Sequence, residues 1–179
     1  MISPKDEYVK LVCQRLEENW KSFSILFSMK HYGNCISIMR QELEQSINVL
    51  FLIKQRNMDR DYLIDLAINN KKWHVIVDAK KENITEEVLR KFSRSLDGWE
   101  RKVYEFGFAF KSLSVNYNYM LKNPIVSLNE EERNSIHAYI EEYHDASFPH
   151  DFTIEDVIPI IPRIFAVLSE RLKKSLLLL

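Results

Sequence analysis

WERKVYEFGFAFKSLSVNYNYM, residues 99–120, carries the clearest helical pattern in the chain. Its apolar residues recur at alternating spacings of four and three, which places all of them on one face of a helix. They are Trp99, Val103, Phe106, Phe110, Leu113, Tyr117 and Met120. The same alternation is typical of a helix that packs along a seam against a second helix. The stretch therefore predicts a long helix at the centre of the fold.

The rest of the chain repeats this helical period. A second central helix is predicted from Ile36 to Ile53, and Asn129 with Glu132, or Ser127 with Glu130, predicts the start of a sixth. Residues 73–77 are rich in β-branched side chains, but no second segment reads as a partner strand, so we assign them to the end of a third helix. Residues 80–85 read as a polar linker.

The whole chain, residues 1–179, is predicted to form a single all-α domain, a bundle of six or seven helices. Pro159 and Pro162 predict a kink or a restart in the last helix, because each removes a backbone donor. With only 3 Gly and 5 Pro, the composition argues against an all-β or doubly wound α/β fold.

The charge and hydropathy of the sequence narrow the choice of binding partners and of cellular compartment. The net charge of −1 does not favour binding to nucleic acid. RNA stays open as a partner, but the charge of the chain does not support it. Neither a signal peptide nor a membrane span is apparent, and Cys13 and Cys35 read as reduced thiols, so we predict a cytoplasmic protein without membrane contact. The apolar tail, residues 176–179, and the high aromatic content lead us to expect a homodimer.

Arg40 is the first candidate binding residue. It falls within the apolar arc of its helix, and Glu44 follows one turn later as its i,i+4 partner. A buried arginine has to be paired, so one interpretation is a structural ion pair that fixes the helix register. The other is a pre-oriented guanidinium that lines a phosphate or carboxylate pocket.

The predicted sixth helix supplies three further candidates, Arg133, His137 and His144, which share one face. Arg133 and His137 are close enough to share a phosphate-sized target, although a solvated helix face explains them as well. His137 and His144 lie ~10 Å apart along the axis, too far to hold one metal ion. No glycine-rich phosphate loop, nucleophile elbow or zinc-binding motif occurs, so we expect neither a metal nor a cofactor.

Two segments, SIMRQELEQSINVLFLI (residues 37–53) and RNSIHAYIEEYH (residues 133–144), flank the stretch quoted first. In layout, this arrangement resembles the helical domains of the HEPN superfamily, which includes uncharacterised bacterial proteins and mobile-element cargo. The resemblance implies a helical, commonly dimeric protein, and many members cleave RNA without a metal. Their motif is an arginine followed by a polar residue, with a histidine after four to six intervening positions.

Arg133 and Asn134 match that motif, but His137 follows after only three intervening residues. In an active member, Arg133 would hold the scissile phosphate and His137 would move the proton of the attacking 2′-hydroxyl. Inactive members are binding or scaffolding modules. Because the spacing is short, we predict a non-catalytic helical interaction or binding module. A metal-independent ribonuclease of a defence or toxin system is the alternative, and whether the chain is an enzyme stays open.

Overall fold

The computed structural model describes residues 2–77, 80–116 and 123–179. Its helices are α1 (Pro4–Ser28), α2 (Tyr32–Ile53), α3 (Asn57–Ile68), α4 (Glu86–Arg94), α5 (Gly98–Asn116), α6 (Glu130–His144), α7 (Ile154–Val157) and α8 (Ile161–Leu176). Short 3₁₀ turns occupy Pro124–Ser127 and Ile158–Ile160, and a two-stranded hairpin consists of β1 (His74–Val77) and β2 (Lys80–Asn83). The predicted all-α bundle is confirmed, with seven helices in the described residues if α7 is counted with α8.

Local side-chain chemistry sets several helix starts. The Ser3 hydroxyl accepts the Asp6 backbone N–H at 3.1 Å, and Pro4 opens α1, where its missing donor costs nothing. At α6, the Asn129 side chain accepts the Glu132 N–H at 2.9 Å, and the Glu132 carboxylate accepts the Asn129 N–H at 3.0 Å. Of the two caps that the sequence offered for α6, the structure has this one.

The core has two parts, and α2 contributes to both. One part surrounds Phe106, Phe110 and Phe165, where α2, α5, α6 and α8 meet. The other is built from α1, α2 and α3 with the end of α8. At Gly107, a Cβ atom would lie 3.0 Å from Leu43 Cδ1, so the glycine allows α5 to approach α2 closely. The two helices predicted to be central therefore are, although positions 117 and 120 of the α5 pattern lie outside the described residues.

The helical assignment of residues 73–77 is wrong. α3 ends at Ile68, Asn70 adopts a left-handed conformation with φ 53°, and His74–Val77 pairs antiparallel with Lys80–Asn83. The partner strand escaped notice because its sequence, KKEN, is charged and fully exposed, so it lacks the apolar alternation of a half-buried strand. The predicted polar linker is thus partly a strand, and the Thr85 side chain at its end caps α4.

The last helix is interrupted, as Pro159 and Pro162 predict. The last helix is broken into α7, a 3₁₀ turn and α8, with Pro159 in the turn and Pro162 in the first turn of α8. Leu176 and Leu179 pack into the second core, whereas Leu177 and Leu178 are exposed. None of the helices that the structure describes combines the length and hydropathy needed to cross a membrane.

Candidate functional site

The predicted pair between Arg40 and Glu44 forms, but it is not buried. Arg40 Nε donates to Glu44 Oε1 at 2.8 Å, while 32% of the arginine side chain and 54% of the glutamate side chain remain exposed. The expectation of a buried arginine is therefore wrong. Arg40 is partly exposed because an open groove lies beside α2 at this point, and the side chain reaches solvent along the edge of that groove.

This groove is a cavity of about 360 Å³ between α2, α4 and α5. Apolar side chains form its floor, namely Leu43, Ile47, Leu89 and Phe108. Charged side chains border it, namely Arg40, Glu44, Glu86, Arg90 and Lys111. An apolar floor with a few polar groups at its edge is the usual composition of a small-molecule site.

The groove exists because α4 packs loosely against the bundle. This helix has nine residues, and Ser93 is its only buried one. Leu89 and Phe92 are half-buried and hold α4 against both parts of the core. A short helix held by so few side chains leaves space on its flanks, since each helix can close only the surface that its apolar face covers.

The charged side chains at the groove border differ in whether they already have a partner. Glu44 is bonded to Arg40, and Glu86 forms an ion pair with Lys111. Arg90 lies over the Phe108 ring, 5.8 Å from its centre, and forms no ion pair with a described residue. Arg40 uses only Nε, so its two terminal nitrogens have no bonded partner among those residues either. Two guanidinium groups beside the apolar floor therefore keep donors for a ligand.

A second polar feature is Glu42, which lies two residues after Arg40, on the opposite side of α2, and is 1% exposed. Ser169 Oγ of α8 donates to Glu42 Oε2 at 2.6 Å, whereas Oε1 has no hydrogen-bond partner. Burial raises the pKa of the Glu42 carboxyl to about 7, against smaller opposing effects of Ser169, Asn19 and Lys173.

Sequence reasoning missed Glu42, although a signal was present. Ile38, Glu42, Ser46 and Val49 follow one another at helical spacing, and all four are buried. The bundle buries this stripe as well as the arc around Arg40, where Ile36, Leu43 and Ile47 are core residues. Because α2 is covered nearly all round, its apolar residues lie on both sides of the helix. The sequence pattern alone therefore does not show on which side a polar residue is buried.

The three candidates on α6 lie in different surroundings. His137 is half-buried between Phe148 and Phe152, with Nε2 3.0 Å from the Phe148 carbonyl oxygen and Nδ1 3.5 Å from Glu141. Arg133, one turn earlier, has no bonded partner among the described residues. Neither side chain lines the groove.

His144 is a core residue and not a surface ligand. It is 1% exposed, packs 5.3 Å from the Tyr139 ring, and neither ring nitrogen has a hydrogen-bond partner. Burial lowers the pKa of His144 to about 4, and Arg163 contributes to the shift. The ring is enclosed in the bundle and does not reach solvent, so its assignment as a binding residue stays a prediction without support from its position.

Comparison with known proteins adds no precedent for these features. No protein-family model matches the chain, and neither the curated proteins nor the solved structures include a significant match. No cluster of three or more His, Cys, Asp or Glu side chains suited to a metal ion occurs in residues 2–77, 80–116 and 123–179. The chemistry of the groove itself is the basis for a function.

Proposed function

We propose that the chain is a non-catalytic binding module whose groove between α2, α4 and α5 holds a small amphipathic anion. The observation that supports this most strongly is the apolar floor bordered by Arg40 and Arg90, both with unused donors. Guanidinium groups bind carboxylates and phosphates through paired N–H donors. An anionic head group is expected at these arginines, with the apolar body on Leu43 and Phe108.

The balance of charge favours an anion over a cation. Three cations and two acids border the groove, and each acid is already engaged by a cation. An incoming anion therefore meets Arg90 without displacing a bonded carboxylate. Affinity should rise with the length of the ligand's alkyl chain, by up to ~0.8 kcal/mol for each methylene that leaves water.

Calorimetric titration with octanoate, octyl phosphate, octanol and octylammonium tests the proposal. Both anions should bind with one-to-one stoichiometry, and the comparison between them shows whether a carboxylate or a phosphate is preferred. Arg90→Gln should weaken anion binding about tenfold, the loss expected for one charge-assisted contact in a wet site. Arg94→Gln is the matched control, since Arg94 lies one turn further along α4 and does not line the groove. Equal binding of octylammonium and octanoate would refute the proposal.

A metal-independent ribonuclease is the alternative, as the HEPN resemblance implies. It is supported by Arg133, which has no bonded partner among the described residues, one turn before His137. The surroundings of His137 weigh against it, because Nε2 lies 3.0 Å from the Phe148 carbonyl oxygen and Nδ1 lies 3.5 Å from Glu141, whereas a catalytic imidazole needs one ring nitrogen to reach the substrate. Cleavage of RNA in the presence of chelator, lost in His137→Ala, would favour the enzyme.

We place this module in the cytoplasm as a homodimer. Exposed apolar side chains such as Trp20, Ile25 and Leu177 support association, since a second copy that covered any of them would remove apolar surface from water. Light scattering at high protein concentration should give the dimer mass, and a monomer mass would remove this part of the proposal.

A further inference from the structure

A polar cavity of about 250 Å³ lies between α1, α2 and α8 and meets the groove at Glu44 and Asn48. Side-chain amides dominate its lining, namely those of Asn19, Gln41, Gln45 and Asn48. Glu42 also lines it, with one oxygen held by Ser169 and the other without a hydrogen-bond partner. A buried carboxylate oxygen without a partner is rare in folded proteins, because its desolvation is not compensated.

We propose that this cavity, the Glu42 cavity, binds a small primary amine as its ammonium ion, with Glu42 as the counter-charge and the surrounding amide oxygens as further acceptors. The cavity shares Glu44 and Asn48 with the lining of the anion groove, but Glu42 does not line the groove, and this proposal does not depend on the function proposed for the groove.

The charges around the cavity suit a cation. Its lining includes Glu42, Glu44 and Arg15, two acids and one base. Arg15 on α1 is engaged by Glu18 at 3.5 Å and by Gln41 at 3.0 Å, and Glu44 is engaged by Arg40. From α8, Ser169 donates to Glu42, and Lys173 acts on Glu42 only through its charge. Glu42 is therefore the one acid of the lining that no cation of the described residues pairs with.

The size and shielding of the site favour a primary amine over a quaternary one. Glu42 Oε1 exposes less than 1 Å² to solvent, so an ammonium group reaches it only when the amide side chains of the lining shift, and it sheds part of its hydration there. An ammonium group carries three N–H donors and can replace the lost water with Glu42 and amide oxygens. A quaternary ammonium has no donor and leaves those oxygens unsatisfied. The described residues include no group of acids or histidines suited to a metal ion, so an organic cation fits better.

The test is a calorimetric titration with n-butylamine, with tetramethylammonium chloride, potassium chloride and butyrate as controls. At pH 8.5 butylamine should bind saturably, and the three controls should not. Because burial holds the pKa of Glu42 at about 7 while an alkylammonium stays charged, the affinity should be about tenfold weaker at pH 6.

Two variants make the result decisive. Glu42→Gln should fold and lose butylamine binding, and thermal unfolding of the same sample verifies the fold. Glu170→Gln removes an exposed acid of α8 and should bind as the wild type does. Absence of saturable binding by the wild type, or equal binding by Glu42→Gln, would overturn the proposal. So would equal binding of tetramethylammonium, which would show a diffuse charge effect in place of a built site.

Discussion

Replacing Glu42 with glutamine should make the protein more stable at alkaline pH. Burial raises the pKa of Glu42 from 4.5 to about 7, so folding favours the protonated carboxyl. The contribution of this group to stability is therefore complete below pH 4.5 and is lost as the pH rises through 7. Glutamine resembles the protonated acid and does not ionise. The difference in unfolding free energy should then shift in favour of the variant by about 2–3 kcal/mol between pH 5 and pH 8, at about 1.4 kcal/mol per pKa unit.

Urea denaturation of both proteins at several pH values measures this difference directly. For a chain of this length, a shift of about 2–3 kcal/mol corresponds to roughly 5–10 °C in Tm, which a thermal scan also resolves. Other titrating groups act alike on both proteins and cancel in the comparison. A difference that does not change with pH would show that Glu42 ionises freely in the folded state, and the reasoning about its burial would be refuted.

Three further perturbations have definite expected outcomes. His144→Phe should reduce the loss of stability that the fold suffers in acid. Because the pKa of His144 is lowered to about 4, its contribution to stability is present above pH 6.5 and is lost as the pH falls toward 4. Urea denaturation at pH 4.5 and pH 7 measures the difference between the variant and the wild type. Gly98→Ala should destabilise the fold by ~1–2 kcal/mol in the same assay, since Gly98 has φ +57°, and Gly98→Asn should cost less. Arg40→Ala should change stability by less than ~1 kcal/mol, as expected for an exposed ion pair, yet weaken anion binding; a large drop in Tm would contradict the exposed placement of Arg40.

The sequence predicts the helical elements well because each long helix has its own apolar period and, in several cases, its own cap. The α6 capping box and the broken last helix depend only on neighbouring residues, so they can be read without the fold. The hairpin could not be predicted in the same way, because β2 is a strand only through its pairing with β1.

The candidate site was predicted in part. The Arg40–Glu44 pair follows from the i,i+4 spacing, and the interpretation of Arg40 as a guanidinium lining a pocket agrees with its position on the groove. The contribution of Arg90 depends on where α4 packs, which no local pattern specifies. The burial of Glu42 and His144 likewise depends on which helices cover them, and side-chain spacing alone gives only the angle around the axis.

The anion groove is tested most directly by methyl-resolved NMR of the protein titrated with octanoate. We expect saturable shift changes at the methyl groups of Leu43, Ile47 and Leu89, which line the groove. The methyl groups of Ile76 on the exposed hairpin should stay unchanged. Shift changes that spare the groove methyls, or that spread evenly over exposed apolar residues, would contradict binding of an anion in the groove.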